Sequence, residues 1–176
     1  MRVDAVGKGF AYFKSALDIV YQQLKTNSLD LTEIEILIFG QAQVSDFESL
    51  PFKVNILGHL SEIDKIVKAY SAASVFVIPS LAENLPNTIM ESMACGTPVV
   101  GFEVGGIPEM IDHKSNGYLA KYKSAEDLAK GIQYILQEAD YQQLCDNSRQ
   151  KVLDNYSEEV VAKRYQEVYK TIRSEV

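Results

Sequence analysis

Short apolar runs that close on glycine or proline alternate along this chain with segments of helical spacing. Three runs carry the pattern, at residues 34–39, 54–57 and 75–78; a fourth, at 98–102, leads into Gly105-Gly106, and a shorter one follows at 118–120. Runs that are apolar at nearly every position are typical of strands buried on both faces, as in a parallel sheet. Because the segments between them have helical spacing, the sequence predicts a doubly wound α/β fold of the Rossmann-like type.

Helical segments continue after the last run, so the predicted sheet carries extra C-terminal helices. The first helix begins near Gly9, Ser61 is expected to cap the second, a capping-box sequence starts at Ser124, and two more helices follow. Their apolar positions are Phe13, Leu17, Val20 and Leu24; Ile63, Ile66, Val67 and Tyr70; Leu128, Ile132 and Ile135; and Val161, Tyr165, Val168 and Ile172. No apolar run precedes the first helix. We therefore expect a truncated first strand, with residues 1–3 pairing in part between runs 34–39 and 75–78.

The composition is that of one folded domain, and it excludes several partners. The 176 residues are 47% hydrophobic and carry 24 acidic against 17 basic side chains, so the net charge of -7 disfavours nucleic acid. The longest apolar runs are too short to cross a bilayer. Cys95 and Cys145 are typical of reduced thiols in a cytoplasmic protein, although a disulfide between them stays open.

The loops after the predicted strands hold the residues with chemical character. In open parallel sheets, ligands bind outside the carboxyl ends of the strands. After the third run, Glu83 lies in a loop and Glu91 follows in a predicted helix. The start of such a helix offers unpaired N–H groups and partial positive charge to a phosphate, whereas carboxylates accept hydrogen bonds from sugar hydroxyls. A sugar linked to a phosphate satisfies both groups.

At these residues the chain resembles glycosyltransferase family 4, whose members carry Glu, seven intervening residues and Glu ahead of a Gly-x-Pro-Val-Val segment. Glu83 and Glu91 have that spacing. Arg2 and Lys8-Gly9 resemble the Arg-x5-Lys-Gly phosphate motif of the family, residues 54–58 its nucleotide-base strand, and residues 104–109 its Gly-Gly-x-Pro-Glu loop. The four motifs occur in the family's order and cover essentially the whole chain.

The resemblance implies the donor-binding half of a retaining glycosyltransferase with the two-domain GT-B fold. The implied catalytic residues are Glu83, on the hydroxyls of the transferred hexose, and Arg2 and Lys8, on the diphosphate leaving group. Glu91 would bind the ribose hydroxyls, and Gly58 and His59 would offer backbone groups to the base. The remaining donor-binding residues would be Asn84, Leu85, Pro86, Asn87 and Thr88. The donor would be a UDP-sugar or GDP-sugar, with no further cofactor.

One segment departs from the family pattern, because Leu85-Pro86-Asn87 stands where many relatives carry a Gly-Phe-Gly-like loop. Pro86 has no N–H but suits a helix start, so we expect Asn87 and Thr88 to present theirs to the β-phosphate or the sugar.

No metal site is expected, because His59 and His113 lie in different loops without a ligand cluster and the chain has no Asp-x-Asp. The Gly105-Gly106 pair is explained equally well by simple chain reversal.

Two functions from different classes follow. The first is hexose transfer to a glycan or lipid-linked acceptor, with the acceptor site on a separate N-terminal GT-B domain that would also make any contact with a membrane surface. The second is a non-catalytic nucleotide-sugar-binding module, and an epimerase or phosphorylase of the same architecture is a weaker third. We expect residues 1–176 to form a single domain without transfer activity of its own.

Overall fold

The structure is a computed structural model that describes residues 6–26 and 34–174. The predicted helices and strands are present, with ends that differ by one or two residues. The helices are α1 Phe10–Thr26, α2 Ile63–Ala72, α3 Asn87–Ala94, α4 Ile107–Met110, α5 Ala125–Gln133, α6 Tyr141–Tyr156 and α7 Glu158–Ser174. The strands are β1 Glu35–Ile38, β2 Lys53–Ile56, β3 Phe76–Ile78, β4 Val99–Phe102 and β5 Gly117–Ala120.

The strands pair in parallel, as the apolar runs predict. β1 pairs with β2, and β3, β4 and β5 pair in that order. Among the described residues β1 and β3 do not pair with each other, so the strands form a two-stranded and a three-stranded sheet. This is the doubly wound order with a break between β1 and β3. The expected pairing of residues 1–3 at this break lies outside the described residues.

Two apolar clusters cover the sheets. The first is built largely on α1 and α5, and all four positions predicted to be apolar on α1 are buried: Phe13, Leu17, Val20 and Leu24. The second joins α3 to α4, with Ile89, Met93, Ile107 and Met110 all 0% exposed. Helix α3 also packs against α6. Helix α3, which follows the loop that carries Glu83, is therefore anchored from two sides.

Helix α2 differs from its prediction in two ways. Its N-cap is Glu62 rather than Ser61, without a side-chain cap bond. Ile63 and Val67 are 77% and 44% exposed, whereas Tyr70 is 2% exposed. The reason is that this ten-residue helix buries only its last turn, so an apolar stripe along its whole length does not reach the core.

The C-terminal helices confirm one local prediction and correct another. Ser124 caps α5, accepting a hydrogen bond from the Asp127 N–H at 3.1 Å. The reciprocal half of the capping box is absent, because the Asp127 carboxylate instead accepts from the Lys121 N–H at 2.8 Å. On α7 the predicted apolar positions lie on an exposed face, with Tyr165 and Val168 more than half exposed. None of the helices among the described residues combines the length and hydropathy needed to cross a bilayer.

Candidate functional site

An ion pair joins the turn before α1 to the loop after β3. Lys8 ends a short 3-10 turn, and Glu83 lies between β3 and α3. The Lys8 Nζ donates to Glu83 Oε1 at 2.5 Å. The Glu83 side chain is 15% exposed and that of Lys8 is 40% exposed, so the carboxylate is the more enclosed partner. The structure thus brings two of the three predicted catalytic residues together, whereas Arg2 lies outside the described residues.

The Gly105-Gly106 turn packs on the backbone of the loop that carries Glu83. A Cβ on Gly105 would lie 1.7 Å from the Glu83 carbonyl oxygen, and one on Gly106 would lie 1.9 Å from that of Asn84. Gly105 also has a φ of 56°, which favours glycine. These glycines therefore do more than reverse the chain, because no other residue allows this approach of the two loops.

Gly9 has the same role on the other side of the loop after β3. Its φ is 63°, and a Cβ there would lie 1.8 Å from the Pro79 carbonyl oxygen. Nearby, the Leu81 N–H donates to the Gly7 carbonyl at 2.8 Å. These backbone contacts fix the turn that carries Lys8 against the carboxyl end of β3.

The N-cap of α3 lies three residues after Glu83. Pro86 occupies the N-cap position, and its carbonyl accepts from the Ile89 N–H at 3.0 Å. Asn87 and Thr88 are then the first two helical residues, whose N–H groups have no partner within the helix itself. Asn84 and Leu85 form the loop between Glu83 and this helix start, and Leu85 is 38% exposed.

Glu91 lies one turn further along α3, and its partner is a tyrosine on another helix. The buried Tyr70 hydroxyl donates to Glu91 Oε2 at 3.0 Å, while Glu91 itself is exposed. Burial first, and then the charge of Glu91, raise the pKa of Tyr70 well above its ordinary value, which keeps the phenol a hydrogen-bond donor. No sequence signal indicates this pair, because Tyr70 has the spacing of one more apolar position of α2.

Gly58 and His59 lie at the end of the other sheet. The Gly58 carbonyl accepts from the Gly40 N–H at 2.7 Å, which ties the loop after β2 to the loop after β1. Gly58 has a φ of 69°, and a Cβ there would meet no atom within 4 Å. His59 is exposed, and no hydrogen bond among the described residues links it to Glu83 or Glu91. The structure therefore does not join this corner directly to the two glutamates.

A cleft of about 510 Å³ opens beside Lys8 and Glu83, between the facing edges of β1 and β3. Its lining includes Lys8, Glu83, Thr88 and Tyr70, together with apolar side chains of α1. Most of the lining is apolar, and much of it belongs to α1, β1 and β3, so the cleft lies at the break between the two sheets, and neither Glu91 nor His59 lines it. Within residues 6–26 and 34–174, no three acidic, histidine or cysteine side chains gather where they could hold a metal ion.

Comparison with known families decides what kind of domain this is. The sequence profile described as "Glycosyl transferases group 1" matches residues 2–138. The chain belongs to the glycosyl transferases group 1 family.

Two curated relatives illustrate the range of this family. An uncharacterized glycosyltransferase of Methanocaldococcus jannaschii is 33% identical over 150 residues, which are 81% of this chain and 38% of that protein. A Campylobacter jejuni enzyme named N,N'-diacetylbacillosaminyl-diphospho-undecaprenol alpha-1,3-N-acetylgalactosaminyltransferase is 32% identical over 139 residues, 76% of this chain and 36% of that protein. The chain thus spans less than half the length of these relatives.

Solved structures show the same fold. A glycosyltransferase from Rickettsia africae has a TM-score of 0.77 at 24% identity, over 98% of this chain and 46% of that one. Anabaena HepE, crystallised with UDP and glucose, has 0.73 at 20% identity, over 99% and 47%. The C-terminal domain of a group 1 family protein from Francisella tularensis has 0.70 at 21% identity, over 88% and 82%. The chain therefore has the Rossmann-like fold of the C-terminal domain of GT-B glycosyltransferases.

Proposed function

We propose that this domain binds a nucleoside diphosphate sugar for a retaining transferase of family 4, which passes a hexose to a glycan or lipid-linked acceptor. The observation that carries the proposal is the Lys8–Glu83 ion pair in front of α3, with Glu91 one turn into the same helix. A cation and a carboxylate thus lie in front of a helix start, and a second carboxylate lies one turn into that helix. These are the groups that bind a diphosphate and the hydroxyls on either side of it.

Lys8 is the group we assign to the diphosphate. An ammonium has three donors and no acceptor, so Lys8 can contact a phosphate oxygen and keep its bond to Glu83. The N–H groups of Asn87 and Thr88 add the positive end of the α3 dipole. Together they oppose the charge that develops on the leaving group, which is electrostatic catalysis without a metal ion. Arg2 would add a second cation in this assignment.

Glu83 and Glu91 divide the rest of the donor between them in this proposal. Glu83 is the more enclosed carboxylate and adjoins the diphosphate cation, so it is assigned to the hydroxyls of the hexose. Glu91 is exposed on the next turn of α3 and is assigned to the ribose. Asn84, Leu85 and Pro86 shape the loop over the sugar, and the backbone of Gly58 and His59 contacts the base. UDP is the first nucleotide to test, because Anabaena HepE was crystallised with it.

The second half of the reaction is assigned to another domain. Transfer breaks the bond between the anomeric carbon and the diphosphate oxygen and forms a bond from that carbon to an acceptor hydroxyl, with the anomeric configuration retained. We place the acceptor on an N-terminal GT-B domain and the whole reaction in the cytoplasm. The exposed apolar face of α7, which includes Tyr165, Val168, Tyr169 and Ile172, is available for contact with such a domain.

A thermal-shift screen tests donor binding. UDP, GDP and ADP, each with and without a linked hexose, are added to the 176-residue chain. A ligand at a hundred times its Kd stabilises the folded state by about 2.7 kcal/mol. For a domain of this size that is a rise in Tm of roughly 5–10 °C. A sugar nucleotide is expected to produce this rise, and a screen in which no nucleotide shifts the Tm would contradict the proposal.

The alternative, a donor-binding module without transfer activity, is kept because the chain spans less than half of its relatives. Mixing the chain with the N-terminal half of the Methanocaldococcus relative and a radiolabelled sugar nucleotide separates the two functions. Labelled product whose anomeric proton matches that of the donor by NMR supports the retaining transferase. Donor binding without labelled product in any pairing supports the module. An isomerised donor would identify an epimerase, and release of a sugar phosphate from an added glycan and inorganic phosphate would identify a phosphorylase.

A further inference from the structure

A buried tyrosine holds the carboxylate that we assign to the ribose. Tyr70 lies in the last turn of α2 and is 2% exposed. Its hydroxyl donates to Glu91 Oε2 at 3.0 Å across the interface between α2 and α3. No other hydrogen bond within the described part of the chain reaches the Glu91 side chain. One carboxylate oxygen is therefore anchored from inside the protein, and Oε1 is left to the exposed side of α3.

The tyrosine is itself held in one orientation by its surroundings. Its ring packs edge-on against Phe39, which follows β1, at 5.3 Å and against Phe76 of β3 at 5.5 Å. Its carbonyl accepts from the buried Thr97 hydroxyl at 2.8 Å. Aromatic packing on two sides and a fixed backbone leave the Tyr70 hydroxyl little freedom of direction.

Anchoring matters because a glutamate on a helix surface otherwise samples several rotamers. Fixing such a side chain on ligand binding costs conformational entropy, and a bond formed beforehand lowers that cost. A carboxylate held through Oε2 keeps Oε1 in a constant direction, and an oxygen with two lone pairs can accept from two neighbouring hydroxyls. The two hydroxyls of a ribose are such a pair.

We propose that Tyr70 is a positioning residue, which orients Glu91 so that the carboxylate receives the ribose hydroxyls of the donor nucleotide. The inference rests on the proposed function, since it takes Glu91 as the ribose ligand. Tyr70 does not contact the nucleotide in this account. It acts only through Glu91, and its effect is therefore confined to ligands that carry ribose hydroxyls.

Calorimetric titration of Tyr70→Phe with UDP tests the proposal, because phenylalanine keeps the aromatic packing and removes only the hydroxyl. We expect a Kd about 5- to 10-fold weaker than that of the wild type, which corresponds to about 1–1.4 kcal/mol. With 2',3'-dideoxy-UDP, wild type and Tyr70→Phe should bind equally. A purely structural role would instead weaken both ligands by the same factor, and that result would overturn the proposal.

Tyr118→Phe is the matched control. Tyr118 is also buried and also donates to a carboxylate, that of Asp127, at 3.3 Å, but it lies on β5 away from Glu83 and Glu91. Its substitution should leave the Kd for UDP unchanged. If Tyr118→Phe weakens UDP as much as Tyr70→Phe does, the effect is a general loss of core hydroxyls and the proposal fails.

Glu91→Gln separates failure of this inference from failure of the proposed function. If Glu91→Gln leaves the Kd for UDP unchanged, or if the wild type binds neither UDP nor GDP, the ribose assignment fails and the role of Tyr70 fails with it. If Glu91→Gln weakens UDP but Tyr70→Phe does not, only the role of Tyr70 is wrong. In the double variant, we expect Tyr70→Phe to weaken UDP by less than twofold, because its effect passes through Glu91.

Discussion

Substituting Gly105 by alanine tests whether the glycine turn positions the loop that carries Glu83. Gly58 provides the matched control, because both glycines have positive φ, 56° and 69°, but only Gly105 has an atom in the way of a Cβ. At Gly58 nothing lies within 4 Å, whereas at Gly105 the Glu83 carbonyl oxygen lies at 1.7 Å. The comparison therefore separates backbone strain, which the two share, from displacement of the Glu83 loop.

The magnitudes follow from these two environments. Alanine in the left-handed region costs about 1–2 kcal/mol, partly offset by a less flexible unfolded chain, so Gly58→Ala should lose about 0.5–1 kcal/mol of stability. At Gly105 the contact to Glu83 must roughly double in length to reach ordinary van der Waals distance, and forcing such a shift adds about 1–3 kcal/mol. We therefore expect Gly105→Ala to lose about 1.5–4 kcal/mol.

Urea unfolding followed by circular dichroism measures both losses, and titration with UDP and a UDP-hexose measures the effect on the site. Gly105→Ala should weaken the UDP-hexose more than bare UDP, because it displaces Glu83. Equal stability losses in Gly105→Ala and Gly58→Ala, with the UDP-hexose unaffected, would refute the claim that the two loops are packed backbone to backbone.

Three further predictions address charge, packing and pH. Lys8→Gln should weaken the affinity for UDP by roughly 10- to 100-fold, the contribution of a charge-assisted hydrogen bond, whereas Lys163→Gln on the exposed α7 should not change it. Calorimetry at two salt concentrations measures both affinities, and equal effects would contradict the assignment of Lys8 to the diphosphate. Ile89→Ala, at a fully buried position of α3, should lower the free energy of unfolding by about 2–4 kcal/mol in urea. Ile63→Ala, at a position that is 77% exposed, should lower it by less than about 0.5 kcal/mol. An Ile89→Ala variant as stable as the wild type would contradict the packing of α3. Because the pKa of Tyr70 is raised in the folded state, the stability that its neutral phenol contributes is complete below the unfolded pKa of about 10 and is lost at higher pH, as the unfolded phenol ionises. Between about pH 9 and 11 the wild type should therefore lose more stability than Tyr70→Phe. Parallel losses would contradict a neutral, buried Tyr70.

The order of strands and helices could be predicted because its signals are local. The first three apolar runs are each followed by a glycine or a proline, and the spacing on α1 places Phe13, Leu17, Val20 and Leu24 on one buried face. The same method was wrong for α2, where Ile63 and Val67 are exposed. Helical spacing shows which residues share a face, but it does not show how far along its length a helix meets the core.

The candidate site could be predicted only in part, because sequence patterns are local and the site depends on contacts between distant segments. The motif spacing placed Glu83, Glu91 and Lys8 after strands or at helix starts, where the structure has them. Contacts between distant segments carry no such signal. The bond from Tyr70 to Glu91 spans 21 residues and two helices. The packing of Gly105 on Glu83 likewise depends on how two loops meet, and a Gly-Gly pair alone is as compatible with a free turn.

Calorimetric titration of the wild type, Glu83→Ala and Glu91→Ala with UDP and with a UDP-hexose tests the central claim most directly. If α3 and the loop before it bind a sugar nucleotide as proposed, Glu91→Ala weakens both ligands by a similar factor, because both carry the ribose. Glu83→Ala leaves bare UDP unchanged and removes the extra affinity gained from the hexose. Equal losses of UDP affinity in both variants, or no loss in either, would contradict the assignment of the two carboxylates to the two ends of the donor.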